Sequence, residues 1–201
     1  MGLFLTFEGP EGSGKTTQAR RLWESLGAAS AILHREPGGT ALGEAIRNQL
    51  LHSGPMAPAA EMYLFMAARA ELLHDVVEPA LATGRTVILD RYHDSTLAYQ
   101  GGGRGLDPGW PAWFRKPDRT YLLRVPPEVG LRRSGERSEL DRLESEPLAF
   151  HRAVAEAYDR LAAAEPERFL VLDGATDSDR LHEGILEDVR KLQKRLAASN
   201  S

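Results

Sequence analysis

Phe4-Leu5-Thr6-Phe7-Glu8-Gly9-Pro10-Glu11-Gly12-Ser13-Gly14-Lys15-Thr16-Thr17-Gln18 decides the fold, because an apolar run passes through a glycine-rich turn directly into helix-forming residues. Gly9 to Thr16 has the form G-x-x-x-x-G-K-T. In that pattern glycines let backbone N–H groups turn inward around phosphate oxygens, the lysine reaches the β- and γ-phosphates, and the hydroxyl after it serves Mg²⁺. A helix starting there adds its positive N-terminal dipole to the same anion. Glycine-rich turns also join strands to helices with no ligand. The Lys15-Thr16 pair, the strand before it and the helix formers after it favour a phosphate loop. Its nucleotide-contacting residues are Gly9, Pro10, Glu11, Gly12, Ser13, Gly14, Lys15, Thr16 and Thr17.

The rest of the chain is consistent with one domain built around that loop. Its 201 residues, 42% hydrophobic and 27% charged, suit a globular protein of ordinary domain size. A net charge of −4 gives no general attraction to nucleic acid or acidic membranes, so any basic site must be local. The chain has no cysteine, which removes thiolate chemistry and disulfides and suits a reducing compartment. Met1 to Thr6 formally fits an acylation pattern, yet the run flows straight into the phosphate loop and reads as a buried strand. No apolar stretch has the length needed to cross a bilayer, and a cytoplasmic protein is expected.

Apolar spacing predicts helices over Thr16 to Leu26, Ala41 to Leu51, Ala59 to Leu81 and Arg180 to Leu196. Pro79 is expected to kink the third, and Gly84 to end it. A short helix over Pro108 to Phe114 would pack Trp110 and Trp113. Strands are expected at the N-terminus, at Ala31 to Leu33, Thr86 to Asp90, Thr120 to Val125 and Arg168 to Leu172. Strands alternating with helices predict a three-layer α/β/α sandwich of the P-loop NTPase type, with a five-stranded parallel sheet. The single domain spans 1–201. The charge-dense segment at 131–145 reads either as a solvated helix face or as a small arginine-bearing lid over a triphosphate. The polar, aromatic and glycine-rich run from Arg91 to Gly105 is too well equipped for a plain connector.

Phosphoryl transfer needs positioning and charge neutralisation more than covalent help. Asp90, at the carboxyl end of its strand, is the candidate metal carboxylate beside Thr16. Lys15 and the arginines after Leu131 are the candidate cations. Arg69 falls on an apolar helix stripe, where a cation requires a buried partner or a ligand. Arg91, Arg69 and Arg35 with Phe65, Tyr92 and Tyr99 could form an acceptor site for a phosphorylated, ring-bearing molecule, that is, a nucleotide. Core packing for the aromatics and ion pairs for the arginines are the plainer readings.

Five segments in order, Phe7 to Gln18, Arg35 to Thr40, Phe65 to Arg69, Asp90 to Tyr92 and Ser95 to Gly105, together resemble bacterial thymidylate kinase, as does Glu-Leu-Asp-Arg-Leu-Glu in the lid segment. The resemblance implies transfer of the γ-phosphoryl of ATP to dTMP, with Mg²⁺, in a homodimer. It implies that Glu11 accepts a hydrogen bond from the deoxyribose 3′-hydroxyl, that Phe65 stacks on thymine and that Arg69 donates to its O4. Arg91 would clamp the monophosphate with Arg35 as helper, and Thr96 and Gln100 would meet the thymine edge. Tyr99 would crowd the 2′ position, so that its ring and not its hydroxyl matters. Some members of the family place an arginine after the acidic residue of the loop, where this chain has Gly12. The catalytic arginine is therefore expected from the lid, with Arg137 first, then Arg142 and Arg133.

A kinase for another nucleoside monophosphate is the nearest rival. A regulatory NTPase is a more distant one, lacking here any Asn-Lys-x-Asp run to read guanine. Adenine is expected near the backbone of Asp173-Gly174-Ala175.

Overall fold

The computed structural model describes residues 2–136 and 141–199. Strand β1 (Phe4–Glu8) leads through the glycine loop into α1 (Lys15–Leu26), then β2 (Ala31–Arg35), α2 (Ala41–His52) and α3 (Pro58–Leu72). A π-helical turn (Leu73–Val77) carries α3 into α4 (Glu78–Ala82), followed by β3 (Thr86–Asp90) and α5 (His93–Thr96), which runs on as a π-helical stretch (Leu97–Gly103). The chain continues through β4 (Arg119–Arg124), α6 (Pro127–Gly135), α7 (Leu148–Ala164), β5 (Phe169–Asp173) and α8 (Ser178–Ser199).

All five strands are parallel, in the order β2-β3-β1-β4-β5, as the alternation of strands and helices requires. Central β1 is buried throughout, whereas edge strands β2 and β5 are buried only in part. Period-two alternation divides β1 between the layers. Leu5 and Phe7 face α1 and α8, packing with Leu22, Ile88, Ile185 and Val189. Phe4 faces the opposite layer with Leu72, Val77, Leu81 and Tyr92. By the same alternation Glu8, fully buried, lies on the Phe4 side.

Three expectations about elements change. The long helix passes Pro79 through a widened turn, in which Glu78 N–H bonds to Leu73 O. Proline has no N–H for the fourth carbonyl before it, and a π turn just ahead accommodates that loss. Residues 108–114 are irregular, held by one turn from Phe114 N–H to Pro111 O. Trp110 packs beside Tyr92 and His93, but Trp113 stays 64% exposed. The glycine-rich segment after Arg91 is helical. Gly102 and Gly103 are needed there because α7 packs so close that a Cβ would fall 2.4 Å from Ala157 Cβ or from the Phe150 ring. Propensity opposes helix at three successive glycines, and packing overrides it.

Candidate active site

The phosphate loop takes its shape from glycines in the positive-φ region, with Gly9 at 137°, Gly12 at 63° and Gly14 at 97°. Lys15 curls back into the loop and is only 6% exposed, its Nζ donating to Pro10 O at 2.7 Å and Ser13 Oγ at 3.3 Å. Burial and the nearby Arg91 charge lower its ammonium to about 8, against the opposing pull of Glu11, Asp90 and Glu8. Thr16 Oγ1 donates to Asp90 Oδ2 at 2.5 Å, so the hydroxyl of α1 and the carboxylate ending β3 meet at the cleft. A hydroxyl and a carboxylate are hard oxygen donors, which fits Mg²⁺. Among the described residues no group of three or more His, Cys, Asp or Glu could hold a metal. The ion would complete its shell with water and nucleotide phosphate.

A cleft of about 650 Å³ opens from this loop. Its walls bring together Glu11, Lys15, Thr16, Thr17, Arg35, Phe65, Asp90, Arg91, Thr96, Tyr99 and Gln100, so most of the residues singled out in the sequence converge on one space. Arg91 is the centre of its polar wiring. It holds φ at 72°, the left-handed region that a bulky residue enters only when its surroundings over-determine it. Its Nη2 donates to Glu11 Oε1 at 2.6 Å and Tyr99 Oη at 3.2 Å. Its Nη1 reaches Gly9 O, Ser95 Oγ and Tyr158 Oη at 3.2–3.4 Å. Tyr99 Oη in turn donates to Glu11 Oε1 at 2.7 Å. Burial alone would raise the Glu11 carboxyl, yet the charges of Arg91 and Lys15 and the Tyr99 bond hold it at about 2. The Tyr99 hydroxyl therefore has a structural task. The expectation that only its ring matters gives way to one in which it ties the loop carboxylate to Arg91.

Arg69, Arg133 and Arg142 do not belong to the cleft lining. Arg69 is 1% exposed, with Nε on Glu36 Oε2 at 2.7 Å, Nη1 on Thr96 Oγ1 and His93 Nδ1, and Nη2 on Tyr92 O. It braces the wall behind Thr96, so the buried ion pair accounts for a cation on the apolar stripe. Burial pushes Glu36 up to about 7 in spite of Arg69, and among the described residues its Oε1 has no hydrogen-bond partner. Gln100 lines the cleft while its amide donates to Glu61 at 2.9 Å.

Arg142 turns away from the cleft. Its Nη1 lies 2.6 Å from Glu61 and its Nε donates to Leu50 O, so it fastens the later part of the 131–145 segment to α2 and α3. Arg133 lies against the outside of the phosphate loop, its Nη1 3.2 Å from Gly174 O and 3.5 Å from Gly12 O. Arg137 lies outside the described residues. Gly12 packs directly on α6, and a Cβ there would sit 2.1 Å from Gly130 O. This approach excludes a side chain at the position where an arginine was sought and not found. Gly174 also approaches the loop, at 2.9 Å from Ser13 O for an added Cβ, which puts the segment after β5 beside it.

Four residues of this region escaped the sequence reading. Arg47 of α2 lines the cleft and donates to Pro37 O, and Glu36 contributes the partner of Arg69. Glu8 and Tyr158 bind beneath Arg91. The only signal for Glu8 was a carboxylate on the buried alternation of a central strand. Tyr158 had none, because α7 was not delimited.

The thymidylate kinase family profile matches residues 7–185. Thymidylate kinase of Thermomicrobium roseum is 46% identical, over 97% of this chain and 98% of its own length. That of Pseudomonas fluorescens is 49% identical, over 87% and 88%. The crystal structure of thymidylate kinase from Ehrlichia chaffeensis superposes with a TM-score of 0.75 at 30% identity, covering 94% of this chain and 98% of that one. Similarity that spans both partners nearly end to end carries with it the phosphate loop and the cleft beside it, and this chain belongs to the thymidylate kinase family.

Proposed function

We propose that the protein transfers the γ-phosphoryl group of ATP to dTMP, giving ADP and dTDP. The observation that carries this reading is Arg91, which lines one cleft with the phosphate loop and Phe65 and is bonded both to Glu11 of the loop and to Tyr99. The loop N–H groups and Lys15 hold the donor phosphates. The forked guanidinium of Arg91 takes the acceptor phosphate, with Arg35 beside it. Phe65 offers a face for the base, Thr96 and Gln100 its edge, and Glu11 an acceptor for the sugar 3′-hydroxyl. Tyr99 closes the 2′ side. Arg69, expected to donate to thymine O4, is proposed instead to hold Thr96 at that edge from behind.

Mg²⁺, held through Thr16 and Asp90, would neutralise charge on the β- and γ-phosphates. No general base is required, since an acceptor phosphate with a second pKa of about 6 is largely ionised at neutral pH. Arg137 is the favoured lid arginine, because Arg142 is occupied by Glu61 and Leu50 and Arg133 touches the loop from outside. The fold is one kinase domain with a lid at 131–145. Adenine is assigned to the backbone near Gly174. The exposed Leu42 of α2 and Tyr63 of α3 support a homodimer through that side. A cytoplasmic location accords with the absence, among the described residues, of any helix long and apolar enough to cross a membrane.

ADP release from ATP, measured with each nucleoside monophosphate in turn, tests the reading. dTMP should be preferred. Preference for UMP, CMP or AMP, or release independent of any acceptor, would remove it.

A further inference from the structure

We propose that Glu8 is a positioning residue for Arg91, holding both its backbone and its guanidinium in the geometry that receives the acceptor phosphate, a role that rests on the function proposed above. Glu8 ends β1, is fully buried, and is not itself part of the cleft lining. Its two oxygens serve two different ends of the neighbouring segment. Oε1 accepts Tyr92 N–H at 2.7 Å, fixing the peptide that follows Arg91. On the other side, Arg91 N–H bonds to Phe7 O at 2.9 Å. The left-handed residue is thereby pinned before and after, which is the over-determination that its φ of 72° requires.

Oε2 accepts Ser95 Oγ–H at 2.6 Å and Tyr158 Oη–H at 2.8 Å. Each hydroxyl has a single proton. An ionised carboxylate only accepts, so it draws both protons toward itself and leaves both hydroxyl oxygens with lone pairs facing Arg91 Nη1, 3.2 Å and 3.4 Å away. Glu8 thus sets the polarity of the cradle under the guanidinium. An amide in its place would donate to one or both hydroxyls and turn their protons toward a cation. The charged and titratable groups around Glu8 are Asp94 of α5, Arg91, Tyr158 of α7 and Lys15 of α1. Burial first, then Asp94, push its carboxyl up to about 7, opposed by Ser95, Arg91 and Tyr158. Assays therefore belong at about pH 7.5, where most of it is ionised.

The test is steady-state kinetics on the full chain, with thermal melting as a control for folding. Saturable turnover of dTMP by the unaltered protein tests the function itself, independently of any variant. In Glu8→Gln the KM for dTMP should rise about tenfold, the effect of one misdirected charge-assisted hydrogen bond, while the KM for ATP stays within about twofold. Combining it with Ser95→Ala should raise the dTMP KM by less than the product of the separate effects, because both act on one cradle. A folded Glu8→Gln protein with unchanged dTMP KM, or with both KM values raised alike, overturns the proposal. If Glu8→Gln does not fold, Ser95→Ala and Tyr158→Phe decide it, since each keeps the carboxylate and deletes one cradle hydroxyl. A selective rise in dTMP KM supports the role, and no change in either overturns it.

Discussion

Replacing Glu11 by Gln removes one charge and almost no volume at the point where the phosphate loop touches Arg91. The Glu11 carboxyl lies at about 2 against an ordinary value of 4.5, because Arg91, Lys15 and Tyr99 together outweigh its burial. Each pH unit of displacement corresponds to about 1.4 kcal/mol, which gives a contribution of about 2–3 kcal/mol at pH 7 after allowing for the residual exposure of the pair. That exposure is small, at 18% for Arg91 and 19% for Glu11.

The folded-state value is depressed, so the stabilisation is complete above the unfolded value of 4.5 and disappears as pH falls through about 2. Glu11→Gln should therefore lower the melting temperature by about 5–10 °C at pH 7 in the absence of substrates. The gap between the two proteins should shrink to about 1 kcal/mol near pH 3. Unfolding followed by circular dichroism at several pH values measures both quantities. A variant that melts with the parent protein at pH 7, or a gap of constant size down to pH 3, would refute the electrostatic account. The second outcome would indicate lost packing or hydrogen bonding instead of lost charge.

Three further outcomes follow from the same geometry. Lys15 has its ammonium lowered to about 8 in the free protein, so ATP binding above that pH should take up protons as the phosphates restore the charge; calorimetry in buffers of different ionisation enthalpy would detect this, and zero uptake at pH 9 would contradict it. Gly12→Arg, which imitates the alternative placement of the arginine, should lower kcat/KM for ATP on the order of a hundredfold because α6 must move off the loop, with Gly130 O only 2.1 Å from the added Cβ; near-normal turnover would show that the contact is soft. Tyr99→Phe should raise the KM for dTMP about tenfold by stripping a buried hydroxyl from Glu11 and Arg91, whereas Tyr99→Ala should also admit ribonucleotides; Phe behaving as Tyr would return the role to the ring alone.

The sequence determined the phosphate loop, the order of strands and helices, and the identity of most residues that face the cleft. Those properties are written locally. Gly9, Gly12 and Gly14 have backbone requirements that few other residues meet, Lys15 and Thr16 follow at fixed offsets, and buried parallel strands such as Thr86 to Asp90 announce themselves as unbroken apolar runs. Three matters were left to tertiary structure, because each depends on partners far apart in the chain.

Whether an arginine meets substrate or protein was the first: Arg69 found Glu36 and Arg142 found Glu61, while Arg91 was held in the cleft. Whether a glycine run makes a loop or a helix was the second, and the close approach of α7 to Gly102 and Gly103 chose helix against propensity. The third was which buried carboxylate supports the site. Glu8 gains its meaning only when β1, the segment after β3 and α7 bring Tyr92, Ser95 and Tyr158 to its two oxygens. Local backbone preferences survive in a linear sequence, whereas the pairing of buried charges is fixed only when the layers close around them.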